Sequence, residues 1–151
     1  MKAVFFFLIT STLVLSLLWS GSFCLAQEKQ SLYQRLGKYD VIAGIVDDFL
    51  THVRSDPQFS RFSGRGQDSL KRARQLLVDQ LCALSGGPCV YIGRDMKTAH
   101  AGLGITDADW EANMKHMTAS IDKFKVPKKE KEELLAIVAG FRGNIVEKAK
   151  H

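Results

Sequence analysis

The sequence predicts an all-α domain, and three observations predict it. Apolar residues recur at three- and four-residue intervals in several segments, the spacing of a single buried helix face. No stretch alternates apolar and polar residues with a period of two, so no strand emerges. Short breaks rich in Gly, Pro and Ser separate the segments, which favours helices packed crossed or antiparallel. The 151 residues are enough for one hydrophobic core and too few for two.

The first segment is expected to lie outside the fold. Lys2 precedes an apolar run of about 17 residues, and Cys24-Leu25-Ala26 places small residues at −3 and −1 for cleavage after Ala26. That is the layout of a secretory signal peptide. Residues 1–26 are therefore read as a leader and 27–151 as the mature domain, exported and, in a Gram-negative cell, periplasmic. The alternative is an uncleaved anchor, which would be the only membrane contact.

The remaining elements come in chain order. Leu32–Leu36 forms a short helical turn stopped at Gly37. From Tyr39 to Val53, Val41, Ile42, Ile45, Val46, Phe49, Leu50 and Val53 make one apolar stripe. Asp56-Pro57 ends it, because the residue before proline avoids the helical region. Residues 58–69, with Phe59 and Phe62, read as a loop. Leu70, Ala73, Leu77, Leu81 and Leu84 mark a further helix, stopped by Ser85-Gly86-Gly87-Pro88. A short helical segment runs from Met96 to Ala101. Thr106 is an N-cap with Asp109 at the third helical position, a capping box, and Trp110, Met114, Met117, Ile121 and Phe124 follow on one face. Pro127 fits the first turn of a last helix, which carries Leu134, Leu135, Ile137, Val138, Phe141, Ile145 and Val146.

The net charge of +5 is spread among mixed signs. KKEKEEL at 128–134 reads as a solvated helix start. No basic stripe with interleaved aromatics occurs, so nucleic acid is not an expected partner. Of three cysteines, Cys24 leaves with the leader. Cys82 and Cys89 bracket a Gly-rich turn, and a disulfide and two buried thiols both stay open. There is no CxxCH, so covalent haem attachment of the c type is not supported.

His100 emerges from an apolar face, with Met96 one turn before it. Such a histidine is either a satisfied core residue or a ligand. Zinc wants three or four ligands at recognisable spacing, and His52, His100 and His116 form no such set. Haem needs one axial nitrogen from the protein and a large apolar slot.

From about Ser31 to Val146 the chain resembles the group I truncated haemoglobins. SLYQRLGKYDVIAGIVDDFLTHVRSDPQFSRF is similar to the opening two helices of that family, and GGPCVYIGRDMKTAH to its glycine corner, tyrosine and proximal-histidine segment. GLGIT and two terminal helices come next at the expected distances. The resemblance implies a two-over-two helical sandwich holding one non-covalent haem b. It makes His100 the proximal iron ligand through Nε2, places Met96 on the proximal haem face and Tyr91 in the matching loop, and gives Gly86 and Gly87 to the hinge of the connecting segment. Phe49, Leu50 and Phe62 fall at further haem-contacting positions. Ala73, Leu77 and Gln80 fall on the distal helix, with Leu70 as an alternative to Ala73.

Departures from the family pattern matter. Its early Gly-Gly is Gly37-Lys38 here, and its Phe-Phe corner is Phe62-Ser63. The usual Phe-Tyr late in the second helix is Phe49-Leu50, so the distal hydrogen-bond donor is missing, and Gln80 is the one polar group left to replace it. Weaker discrimination in favour of oxygen is expected, with nitric oxide and carbon monoxide as plausible ligands. His52 should face away from the haem, and His116 should sit at the edge of its apolar stripe. Arg94 or Lys97 could meet a haem propionate, or be an ordinary solvated cation.

The family allows oxygen binding and transport, nitric oxide dioxygenation or a peroxidase-like activity. Catalysis would need an external reductant, hence a separate reductase, because the chain holds no flavin or nicotinamide motif. The alternatives are an exported helical interaction module that no longer binds haem, and a periplasmic haem carrier.

Overall fold

The structure, a computed structural model, describes residues 30–62 and 67–147. The expected leader lies outside the described residues. Among these, all regular structure is helical: α1 (Leu32–Leu36), α2 (Lys38–Ser55), a 3₁₀ turn (Pro57–Phe62), α3 (Gln67–Leu84), α4 (Met96–His100), α5 (Asp107–Lys123), α6 (Lys128–Ala139) and α7 (Arg142–Ile145). None of these helices is long and apolar enough to cross a membrane.

The helices start where side chains satisfy their free N–H groups. Ser31 and Gln34 form a capping box at α1, and Thr106 and Asp109 form one at α5. Gly37, at φ 98°, closes α1 and lets α2 begin directly behind it. A Cβ at Gly37 would sit 2.7 Å from Val41 Cγ2. Asp56 is extended before Pro57 and ends α2.

Packing follows from the stripes. α2 buries Ile42, Ala43, Ile45, Val46 and Phe49. Val78, Leu81 and Cys82 meet them from α3, Met117 and Ile121 from α5, and Leu134 from α6. Each fully buried Ile, Leu or Met contributes about 1.5–3 kcal/mol over an exposed one. α2 packs on both α3 and α5, and α5 on α6. The α2/α3 pair thus lies over the α5/α6 pair in a two-over-two sandwich, with α4 outside it.

Four expectations need correction. The stretch after Pro57 winds into a 3₁₀ turn up to Phe62, with Phe59 buried. The final helix is not continuous, because it stops at Gly140 and α7 is a separate turn. Gly140 is a poor helix former, and the chain beyond it is drawn back toward the loop before α5, where Glu147 N–H donates to Ile105 O at 2.9 Å. Pro127 caps α6 rather than occupying its first turn. The start of α6 is not uniformly solvated: Glu130 is buried and accepts from Arg35 Nε of α1 at 2.9 Å.

Candidate functional site

Between Gly87 and Met96 the chain runs without regular structure back along α3. Cys89 anchors its beginning through a disulfide to Cys82, with Cα atoms 5.7 Å apart, inside the range such a bridge needs. This resolves the cysteine question in favour of the bridge. Gly87 makes room for it: a Cβ there would lie 2.7 Å from Cys82 Sγ and 2.6 Å from the Tyr33 ring. Further along, Tyr91 folds back and its hydroxyl donates to Arg94 O. A Cβ at Gly93 would collide with the phenol. Burial, with the Asp95 charge nearby, pushes the Tyr91 phenol up and keeps it a donor.

Asp95 then starts α4, accepting from Thr98 N–H at 2.9 Å and from the Thr98 hydroxyl at 2.7 Å. These bonds hold its carboxyl below the ordinary value. α4 ends on His100, whose Nδ1 lies 2.8 Å from Met96 O. A carbonyl only accepts, so Nδ1 carries the hydrogen and Nε2 keeps its lone pair. Nε2 has no hydrogen-bond partner among the described residues. Nε2 is thus the ring nitrogen left free to accept.

A groove of about 610 Å³ opens between α3 and this segment. Ser69, Arg72, Ala73 and Leu76 form one wall, Tyr91 to Arg94 the other, and Ala99 of α4 closes it. Of the residues singled out from sequence, Ala73 and Tyr91 therefore face one space. Leu50 and Leu77 are half-buried against the core beside Phe49, which is itself inside it. Gln80 and Met96 are half-buried. Phe62 is not at the groove; it lies on the 3₁₀ turn, 6.2 Å from the Phe59 ring with Arg61 over its face.

Arg94 lines the groove and Lys97 does not. Arg72, facing Arg94 across it, was missed in the sequence. Its signal was present: Arg72 sits three residues after Ser69 and four before Leu76, on one helical face. His52 is exposed and pairs with Asp48 at 3.2 Å. It stacks on His116, which bonds Asp56 at 2.8 Å. Neither histidine lines the groove. Among the described residues no cluster of three or more His, Cys, Asp or Glu could hold a metal ion.

The model of the bacterial-like globins matches residues 31–147. The chain belongs to the bacterial-like globin family. It is 31% identical over 113 residues to the group 1 truncated hemoglobin GlbN of Mycolicibacterium paratuberculosis, covering 74% of this chain and 81% of that one. It is 27% identical over 118 residues to the group 1 truncated hemoglobin LI410 of Chlamydomonas moewusii, covering 77% and 68%. The truncated hemoglobin of Tetrahymena pyriformis in its Fe(III) form superposes with a TM-score of 0.72 at 23% identity, over 79% of this chain and all of that one. The fold is thus that of a group 1 truncated globin, a family whose cofactor is haem, usually non-covalent, and whose ligands are diatomic gases. Residues of this chain fit parts of such a group: the groove has apolar side chains at Ala73, Leu76 and Ile92 and guanidinium groups at Arg72 and Arg94, while His100, with a free ring nitrogen, does not itself line the groove but follows Ala99, which does.

Proposed function

We propose that this globin binds one non-covalent haem b with His100 as the proximal iron ligand and takes up a diatomic gas there reversibly. The observation that carries the reading is the His100 Nδ1 contact to Met96 O at 2.8 Å, which leaves Nε2 as the nitrogen free to act as a ligand. Haem held there would supply an iron able to bind the gas. The chain's part is to hold and orient. Met96 O fixes the imidazole rotation and its tautomer. Arg72 and Arg94, which form no ion pair among the described residues, are placed to take the propionates.

The distal side sets selectivity. Leu50 offers no hydrogen to a bound gas, and Gln80 is the one amide on the distal face of α3 available for that purpose. Oxygen depends on such a donor more than nitric oxide or carbon monoxide does. Binding of nitric oxide or carbon monoxide is therefore favoured over oxygen storage; nitric oxide dioxygenation, which consumes bound oxygen, would also need a separate reductase to return the iron to the ferrous state. The N-terminal leader motif supports export to the periplasm.

The test is the visible spectrum of residues 27–151 in ferric, ferrous and carbon monoxide forms, with His100→Gly alongside. A Soret band that moves with carbon monoxide, fades in the variant and returns with added imidazole supports the reading. A folded, helical wild type that takes up no haem overturns it and leaves a helical interaction module.

A further inference from the structure

We infer that Glu147 positions the His100 imidazole by clamping the loop that leaves it, an inference that rests on the reading of His100 as the iron ligand. α4 has five residues, and a helix that short does not hold its own geometry. Asp95 secures its N-terminal end. Its C-terminal end, where His100 sits, has no cap of its own: the chain turns out of the helix at Ala101 with φ −58° and ψ 131°.

Beyond Ala101 the loop is built around one carboxylate. Gly102 and Gly104 both adopt left-handed conformations, at φ 77° and 62°. A Cβ on either would meet nothing within 4 Å. Backbone conformation, not space, is therefore what calls for glycine. That conformation aims both N–H groups at Glu147. Gly102 N–H donates to Oε1, and Gly104 N–H donates to Oε2 at 2.9 Å. Backbone donors converging in this way form an anion cradle, and bonds to a charged acceptor are among the stronger ones. Neither N–H has another acceptor among the described residues. Inside the same loop Leu103 N–H donates to His100 O at 3.2 Å, so the clamp reaches the histidine's own backbone.

The clamp is anchored away from the site. Glu147 N–H bonds Ile105 O at 2.9 Å, and Arg142 of α7 pairs with Asp107 at 2.7 Å. α7 also packs directly on α4. The break at Gly140 gains a purpose from this, since the chain beyond it returns to the loop at Ile105. Glu147 is thus a positioning residue. It fixes where the end of α4 lies, while Met96 O fixes how the ring is rotated.

The experiment compares the haem-loaded chain with its Glu147→Ala, Glu147→Gln and Arg142→Ala variants. Three readouts are taken: amide exchange at Gly102 and Gly104, the iron–histidine stretching band of the ferrous form, and the rate of haem transfer to apomyoglobin. Glu147→Ala is expected to expose both amides, shift and broaden the band, and speed haem loss about tenfold, the low end for outer-shell partners of a metal-bound histidine. Glu147→Gln retains one acceptor oxygen and should fall between, which keeps the test decisive if the alanine variant folds poorly. Arg142→Ala, which loosens one anchor but keeps both Glu147 bonds, should shift the band less than Glu147→Ala. Exposed amides with an unmoved band and wild-type haem loss would overturn the inference and make Glu147 a tether of the C-terminus only. A wild type with no iron–histidine band would instead overturn the reading of His100, and the inference would fall with it.

Discussion

Arg61 of the 3₁₀ turn donates to the carboxylate of Asp109 at the start of α5. Asp109 is 3% exposed and also accepts from Gln58 at 3.0 Å and from Thr106 N–H at 2.8 Å. One side chain therefore closes the α5 cap and pins the turn that succeeds α2. Burial by itself would raise this carboxyl, but the bonds from Arg61, Thr106 and Gln58 outweigh it and hold the group well below the ordinary range. Asp109→Ala should cost about 2–3 kcal/mol at neutral pH, from a lost cap and unpaired donors. The sign with pH follows from the lowered folded value. The contribution is complete above the unfolded value of about 3.9 and is lost as pH falls through the folded one. Urea unfolding at pH 7 and at successive acid values should show a gap between wild type and variant that narrows only below about pH 4. A gap that is already small at pH 7 would contradict the account.

The Cys82–Cys89 bridge spans a separation of 7 residues. Closing so short a loop in the unfolded chain is worth about 2–3 kcal/mol. The paired Cys82→Ala, Cys89→Ala variant should lose about that much, and wild type in reductant should lose a similar amount. The bridge also ties the segment carrying Tyr91 and Arg94 to the end of α3, so the paired variant should lose haem faster. Equal melting temperatures with and without reductant would mean that the bridge adds no stability.

Lys38 stands at φ 66°, in the second position of the glycine pair that the family usually has there. A left-handed conformation costs a residue with a Cβ about 1–2 kcal/mol. Glycine removes that cost but adds flexibility to the unfolded chain. Lys38→Gly should therefore raise stability by about 0.5 kcal/mol, and Lys38→Val should lower it. Denaturant midpoints of the two variants should move in opposite directions from wild type; movement in the same direction would exclude backbone strain as the cause.

The features legible in the sequence were those set by neighbouring residues. The Thr106–Asp109 box spans three positions, and the α2 stripe declares its buried face by spacing alone. The misread features depend on partners far along the chain. Glu130 turns inward because Arg35, 95 residues away, needs its carboxylate. The last helix stops at Gly140 because the chain beyond it must return to Gly102, Gly104 and Ile105. At the site, the short helix ending on His100 was readable from one helical turn. The Nδ1 contact that prepares the ring, and the meeting of Arg72 with Arg94 across the groove, required the fold. Cysteine spacing permitted a bridge without requiring it, since only the folded turn brings the Cα atoms together.

Leu50 offers the sharpest test of the distal reading. It is half-buried on α2 beside Phe49 and packs against the core, at the position where relatives of this type often carry a tyrosine. Leu50→Tyr adds a hydroxyl whose proton can meet the partial negative charge on bound oxygen. One such hydrogen bond in a dry pocket is worth about 1–1.5 kcal/mol, or roughly tenfold in affinity. Oxygen release from the variant should slow by about that factor, while carbon monoxide release, which depends less on a donor, should change little. Gln80→Leu should act in the opposite direction if its amide is the donor in the native chain. Stopped-flow release rates for both gases separate the cases. Slow oxygen release in wild type that neither substitution alters would place the donor elsewhere and remove the argument that nitric oxide is favoured over oxygen.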